Sequence, residues 1–173
     1  AVGLTAGRQY SLVLDDGVAG AGPFVAGPDG TRDVPVEDFC TFVRETVLQR
    51  GEMLVSLHFP PPVAGSGAHY LRFIPRNEMD IAVAGAGVSV VLDNGNIKSA
   101  RVALAAVAPT PLLVSEISEG LAGPPANEAS INEAGKIAKA AARPITDMRG
   151  TIEYRKHLCD VLTRRALTAA ITR

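Results

Sequence analysis

Cysteine is scarce in this chain, and its two occurrences, Cys40 and Cys159, stand alone. Neither has the paired spacing of a zinc ribbon, a ferredoxin-type cluster or a dithiol couple, so both read as ordinary buried thiols. The three histidines, His58, His69 and His157, are scattered, with no cysteine or carboxylate at ligand spacing, and no metal site is expected from this chain alone. An excess of charge is also missing. Seventeen basic residues stand against eighteen acidic ones, which leaves no surplus to neutralise phosphates and argues against nucleic acid or an anionic membrane as partner. No apolar run approaches the roughly 20 residues of a spanning helix, and the opening AVGLTAGRQY has no basic stretch leading into an apolar signal core. The expected location is therefore the cytoplasm.

What remains is the composition of a folded globule. Hydrophobic residues make up 47% of the 173 and charged residues 20%, a balance unlike that of disordered tails. The length suits one main core, or one core with a smaller satellite, because domains commonly run to about 100–150 residues.

Along the chain, short apolar runs such as Tyr10–Leu14 and Phe24–Ala26 read as strand pieces among Gly, Ala and Pro. Pro28-Asp29-Gly30 signals a turn into an extended Thr31–Val36, which suggests a hairpin. Val36–Cys40 reads as a helical turn and Glu52–Phe59 as a strand that Pro60, Pro61 and Pro62 must stop, since proline cannot donate to a ladder. The segment 60–67, PPPVAGSG, neither extends a strand nor starts a helix, and a domain junction is expected there.

Beyond it, Ala68–Phe73 is a strand candidate. Ala82–Leu92 and Ile97–Val107 flank Asp93-Asn94-Gly95-Asn96, and Asn-Gly supplies the positive φ angles of a type I′ hairpin turn. The first of these strands has one face of Ala82, Ala84, Ala86, Val88, Val90 and Leu92. Its other face is thinned by Gly85 and Gly87, so a close neighbour, such as another backbone, is expected there. Three helices follow: Leu112–Leu121, one capped by Ser130 with Glu133 or by Asn127 a turn earlier, and one over Met148–Thr172. The second carries a narrow stripe of Ile131, Ala134, Ala138 and Ala141. On the third, Arg155, Lys156, Arg164 and Arg165 are placed on the polar side. Strands first and helices last indicate an α+β fold, an antiparallel sheet with helices packed on one face.

The obvious motifs have duller readings. Gly17–Gly22 and Gly85-Ala86-Gly87 lack the G-x-G-x-x-G order between strand and helix, so their amides would not converge on a phosphate. The pairs Asp15-Asp16, Glu37-Asp38 and Glu78 with Asp80 fall near turns or element ends and read as solvated caps. No G-x-S-x-G elbow is present, and no cysteine stands beside a histidine base. Composition and spacing thus end at an α+β domain.

Four ordered segments carry a resemblance. They are Gly30–Phe39 (GTRDVPVEDF), Gly51–Pro60 (GEMLVSLHFP), Tyr70–Ala82 (YLRFIPRNEMDIA), and the tail holding Arg143–Arg149 (RPITDMR), Tyr154–Leu158 and Leu162–Leu167, with Ala105–Pro111 between the last two. In this order the chain resembles the C-terminal part of the FAD-binding medium subunits of molybdenum hydroxylases, the carbon monoxide dehydrogenase and xanthine dehydrogenase family.

The resemblance implies that residues 1–62 are the end of the second FAD-binding subdomain and 63–173 the C-terminal α+β domain. It implies electron relay, in which a molybdenum-cofactor large subunit oxidises substrate, an iron–sulfur subunit carries electrons, and FAD passes them to NAD or quinone. The family's glycine-rich pyrophosphate loops lie upstream of the matched region, so FAD is expected in the complete subunit and not in this piece alone. An alternative is a non-catalytic assembly fragment of such a complex. By the same resemblance Leu54 and Val55 would press on the isoalloxazine ring, Arg72 would place a cation beside it, and the loop from Ile74 to Asp80 would border its edge. Plain core (Leu54, Val55) and a solvated strand cation (Arg72) are the competing readings. Pro75 and Asn77 depart from the more basic family loops, which leaves the acceptor open. Arg149, Tyr154, Arg155 and Arg165 are family-like and are expected to be structural.

Overall fold

A computed structural model describes residues 24–27, 30–57, 59, 61–76 and 79–172. The Tyr10–Leu14 run, Asp15-Asp16, Gly17–Gly22, Pro28-Asp29, His58, Asn77 and Glu78 lie outside the described residues. The chain divides between Pro62 and Val63 into two compact units.

In the first unit, β1 (Phe24–Gly27) pairs antiparallel with β2 (Gly30–Asp33) and with β5 (Met53–Ser56), giving the order β2-β1-β5. The expected hairpin is present, closed by Gly27 opposite Gly30, whose φ of 121° favours glycine. Between β2 and β5 run α1 (Val36–Phe39) and the short pair β3 (Cys40–Phe42) and β4 (Glu45–Thr46). The sequence places a strand over Glu52–Phe59, but β5 ends at Ser56, before the prolines.

The second unit is a four-stranded antiparallel sheet in the order β6-β7-β8-β9, with β6 (Ser66–Phe73), β7 (Ala84–Asp93), β8 (Asn96–Ala105) and β9 (Leu112–Leu113). The β7–β8 turn carries φ of 49° at Asn94 and 82° at Gly95, the two positive angles a type I′ hairpin demands. Leu112–Leu113, expected to open a helix, instead pairs with Ala103 and Leu104, and α2 is confined to Ser115–Gly120. Leucine favours a helix, but the preference is weak and pairing with the neighbouring β8 overrides it.

The third helix, α3 (Glu128–Ala141), is capped by Asn127, whose side-chain oxygen accepts from the Ser130 amide at 3.1 Å. Ser130 lies inside the helix and donates its hydroxyl to the Pro125 carbonyl at 2.7 Å, so the earlier of the two candidate caps is the one formed. The last helix, α4 (Ile152–Ile171), starts four residues later than the periodicity suggests. Asp147 and Gly150 first close a tight turn by exchanging backbone hydrogen bonds, and Thr151 then caps the helix through the Tyr154 amide.

One face of this sheet meets the helices. Ala84, Ala86, Val88 and Val90 of β7 and Ile97, Ala100, Val102 and Leu104 of β8 join Ile117, Leu121, Ala134, Ala138, Leu158, Leu162, Ala166 and Leu167 in a single buried cluster. Close approach is bought by small residues. At Gly67 on β6 an added Cβ would run into the carbonyl oxygen of Ala170 on α4, and at Gly135 on α3 it would meet the Asp160 carboxylate. The opposite face, with Ala68, Tyr70, Arg72, Ser89 and Ala103, is exposed. The close neighbour of its glycines is an aromatic ring and not a backbone: Tyr70 stands across from Gly87, and its hydroxyl would lie 2.9 Å from a Cβ on Gly85. A flat phenol laid over two glycines restores the contact they lack.

Candidate functional site

The first unit holds Leu54 and Val55, both half-buried on β5. Side chains alternate along a strand, so the two point to opposite sides of the sheet. Leu54 stands in a row with buried Val25 and with Arg32, its partners across β1 and β2. On the Val55 side the next residue, Met53, is 43% exposed. Across β1 from Leu54, Arg32 grips Glu52 with two hydrogen bonds of 2.9 Å and donates a further one of 2.8 Å to the Val47 carbonyl. The fork matches a carboxylate in geometry as well as charge. These bonds from Arg32, then the Gln49 amide at 2.7 Å, hold the Glu52 carboxyl down at about 2. The stem of Glu52 fills the space above Gly27, where a Cβ would stand 2.8 Å from Glu52 Cγ. In this unit Cys40, expected to be buried, is only half-buried.

The second unit holds Arg72 and Ile74, where β6 gives way to the β6–β7 loop. Arg72 is exposed on the helix-free face, paired with Gly85 and in line with Tyr70; Ile74 is half-buried. On the helical face the neighbouring Phe73 meets Tyr154 of α4 edge to face, centroids 6.1 Å apart and planes at 87°. Asp80, in the same loop, is more than a solvated cap. Its carboxylate accepts the Ile81 amide at 2.8 Å and has Arg149 and Arg76 at 3.7 and 3.9 Å, with its side chain only 12% exposed.

Arg155 corrects the sequence expectation most sharply. Placed on the polar side of α4 by its charge, it is 4% exposed. One guanidinium nitrogen donates to the carbonyls of Val83 at 2.8 Å and Ala106 at 3.3 Å, and another to Asp147 at 2.6 Å. The Arg149 amide and then the Arg155 guanidinium lower the Asp147 carboxyl below its ordinary range. Ala106, with φ of 62°, turns its carbonyl inward to be met. The expected structural role of Arg155 is what these bonds describe, whereas Arg165 is exposed. Sequence reasoning missed the Asp147–Arg155 and Asp80–Arg149 contacts. Asp147 and Arg149 both fall within the RPITDMR segment that marks the resemblance, which was the only available signal.

Cys159 is fully buried, and desolvation raises its thiol to about 11, so it is an inert core residue. Among the described residues no group of three His, Cys, Asp or Glu side chains is placed to hold a metal ion. No described helix is long and apolar enough to cross a membrane.

This second unit therefore defines a class: an α+β domain whose helices cover one face of an antiparallel sheet and leave the other face exposed. The chain belongs to the CO dehydrogenase flavoprotein C-terminal domain family, whose model matches residues 69–170. It is 32% identical over 154 residues to the carbon monoxide dehydrogenase medium chain of Afipia carboxidovorans, covering 89% of this chain and 53% of that one. To the xanthine dehydrogenase FAD-binding subunit of Escherichia coli O157:H7 it is 29% identical over 148 residues, 85% of this chain and 51% of the other. Among solved structures, a reconstituted CO dehydrogenase from Oligotropha carboxidovorans matches with a TM-score of 0.82 at 32% identity, over 87% of this chain and 52% of that chain. The chain thus spans about half the length of the relatives it matches.

Proposed function

We propose that this chain is the C-terminal part of the FAD-carrying subunit of a molybdenum hydroxylase, working in a complex with an iron–sulfur subunit and a molybdenum-cofactor subunit and passing electrons to NAD or a quinone. The observation that carries this reading is the similarity, over more than four-fifths of the chain, to a carbon monoxide dehydrogenase medium chain and a xanthine dehydrogenase FAD-binding subunit. In this reading residues 1–62 are the end of an FAD-binding subdomain and 63–173 the domain that follows it.

Each unit, taken by itself, carries residues that suit a flavin. Arg72 is an exposed cation on a strand end, free to lie beside a ring that becomes anionic on reduction. Val55 stands on the more open side of β5 and would cover the ring, while Leu54, on the opposite side, backs the strand against Val25. In the unit of Arg72, Ile74 offers a half-buried apolar side chain where the loop begins. FAD, when bound, supplies the electron chemistry; the protein shields the ring from water and sets the local charge.

A second reading keeps the family and drops the cofactor: the piece serves in assembly and binds no FAD by itself. Co-purification with candidate neighbouring subunits, followed by an absorbance spectrum, separates the two. The relay reading expects flavin and iron–sulfur bands in the complex; a colourless complex defeats it. In a coloured complex, Arg72→Ala should lower the flavin midpoint potential by roughly 30 mV, the two-electron equivalent of about 1.4 kcal/mol. An unchanged potential removes Arg72 from the ring.

A further inference from the structure

We propose that Arg149 and Arg155 are positioning residues that hold residues 79–83 of the β6–β7 loop in their observed shape, acting through Asp147 and Asp80. This rests on the reading that the loop borders the flavin only for its consequence; the latch itself is geometric.

A buried arginine is costly to desolvate and is retained where its donors are used. Arg155 uses them on three separate segments: the Val83 carbonyl at the start of β7, the Ala106 carbonyl just after β8, and the Asp147 carboxylate. Anchoring α4 to the sheet needs only the first two. The third opens a branch that leads away from the core. The Asp147 oxygen that receives Arg155 also accepts the Arg149 amide at 2.8 Å, and the paired Asp147–Gly150 backbone bonds of 3.1 and 3.2 Å close the turn. This turn brings the Arg149 side chain to Asp80, 3.7 Å away. Asp80 in turn faces Arg76, which donates to the Met79 carbonyl at 2.8 Å.

The loop needs such support. Met79 has φ of 50°, in the left-handed region that costs a non-glycine residue free energy and persists where its surroundings over-determine it. Met79 is 92% exposed, so its own side chain supplies no such constraint. The base of the loop is fixed twice, by the Val83 amide donating to the Phe73 carbonyl at 2.9 Å and by the Val83 carbonyl accepting from Arg155. Its middle is fixed by Asp80, and Asp80 is reached from the rest of the fold through Arg149. A helix anchor alone would leave the Asp147–Arg149–Asp80 branch without consequence, and that difference can be measured.

The readout is amide hydrogen exchange by NMR in the full 173-residue chain, followed at Ile81, whose amide donates to Asp80, and at Leu162 as a reporter of the core. Arg149 is the residue to change, because its side chain is one-third exposed and its loss spares the buried pair. Arg149→Gln should speed exchange at Ile81 about two- to fivefold, the range expected for a partly exposed ion pair, and leave Leu162 unchanged. Arg149→Lys keeps a cation within reach of Asp80 and should restore most of the protection. The proposal is overturned if Arg149→Gln leaves Ile81 unaffected, if Ile81 and Leu162 accelerate together, or if lysine gives no rescue. No flavin takes part in this measurement, so its failure is separable from a failure of the Arg72 potential test, which bears on the flavin reading alone.

Discussion

Arg155 and Glu52 show how little a single residue's identity says about its place. Both are charged, and both would be assigned to solvent by type. Arg155 is enclosed because three acceptors from distant parts of the sequence converge on it. Asp147 lies eight residues before it, Ala106 forty-nine and Val83 seventy-two, separations at which no periodicity speaks. Glu52 is held by Arg32, twenty residues earlier, in a fork that forms only because β2 and the residue before β5 flank the same strand. The second case has a pH signature. The Glu52 carboxyl lies at about 2 in the folded chain against an ordinary 4.5. A group lowered on folding adds stability above its unfolded value, and that contribution is lost as the pH falls toward the folded one. The melting temperature of the wild type should therefore exceed that of Glu52→Gln at pH 7, with the gap closing between about pH 4.5 and pH 2. Thermal melts across that range check it; a gap that widens on acidification refutes the pairing.

At the scale of elements, local chemistry was a good guide wherever a turn or cap is built from contiguous residues. Asn94-Gly95 set the β7–β8 hairpin, and Asn127 set the start of α3. It was a poor guide wherever an element depends on a partner. Leu112–Leu113, for one, becomes a strand because β8 offers an edge. The thin face of β7 was read correctly as needing a close neighbour, yet the neighbour is Tyr70 because the register sets Tyr70 opposite Gly87. Gly67 shows the same dependence between β6 and α4. Its sequence context offers no turn or positive φ, and its lack of a side chain is explained only by the Ala170 carbonyl above it. Gly67→Ala should cost about 1–3 kcal/mol, as overpacking in a close-packed core does, and lower the melting temperature by several degrees. Gly95→Ala would act through backbone strain instead, because no atom lies near its missing Cβ. A Gly67→Ala variant as stable as the wild type would show that α4 does not sit on β6 at this distance.

For the whole molecule, the distribution of the core matters most. Every residue of the large buried cluster lies between Leu71 and Ile171, inside the unit Val63–Arg173. A unit that contains its own core should fold alone. Residues 63–173, expressed as a separate chain, should unfold in one cooperative thermal transition and show a dispersed amide spectrum. A non-cooperative melt would mean that the core needs residues outside the unit. The same organisation bears on the proposed function, since Arg72 and Ile74 belong to this unit whereas Leu54 and Val55 belong to the other. Their roles can be tested separately.

By itself the sequence determined the α+β class, the β7–β8 hairpin, the helical tail and, through ordered segments, the flavoprotein family. These are properties of periodicity, turn chemistry and long ordered likeness, all of which can be read along one dimension. The tertiary structure alone decided which side of α4 Arg155 serves, why Gly67 is glycine, how Leu54 and Val55 divide between two faces, and that Asp80 is reached from Arg149. Each of these depends on groups brought within a few ångströms by the packing of distant segments. Hydrogen bonds and steric contacts act over such distances, however far apart their partners stand in the chain.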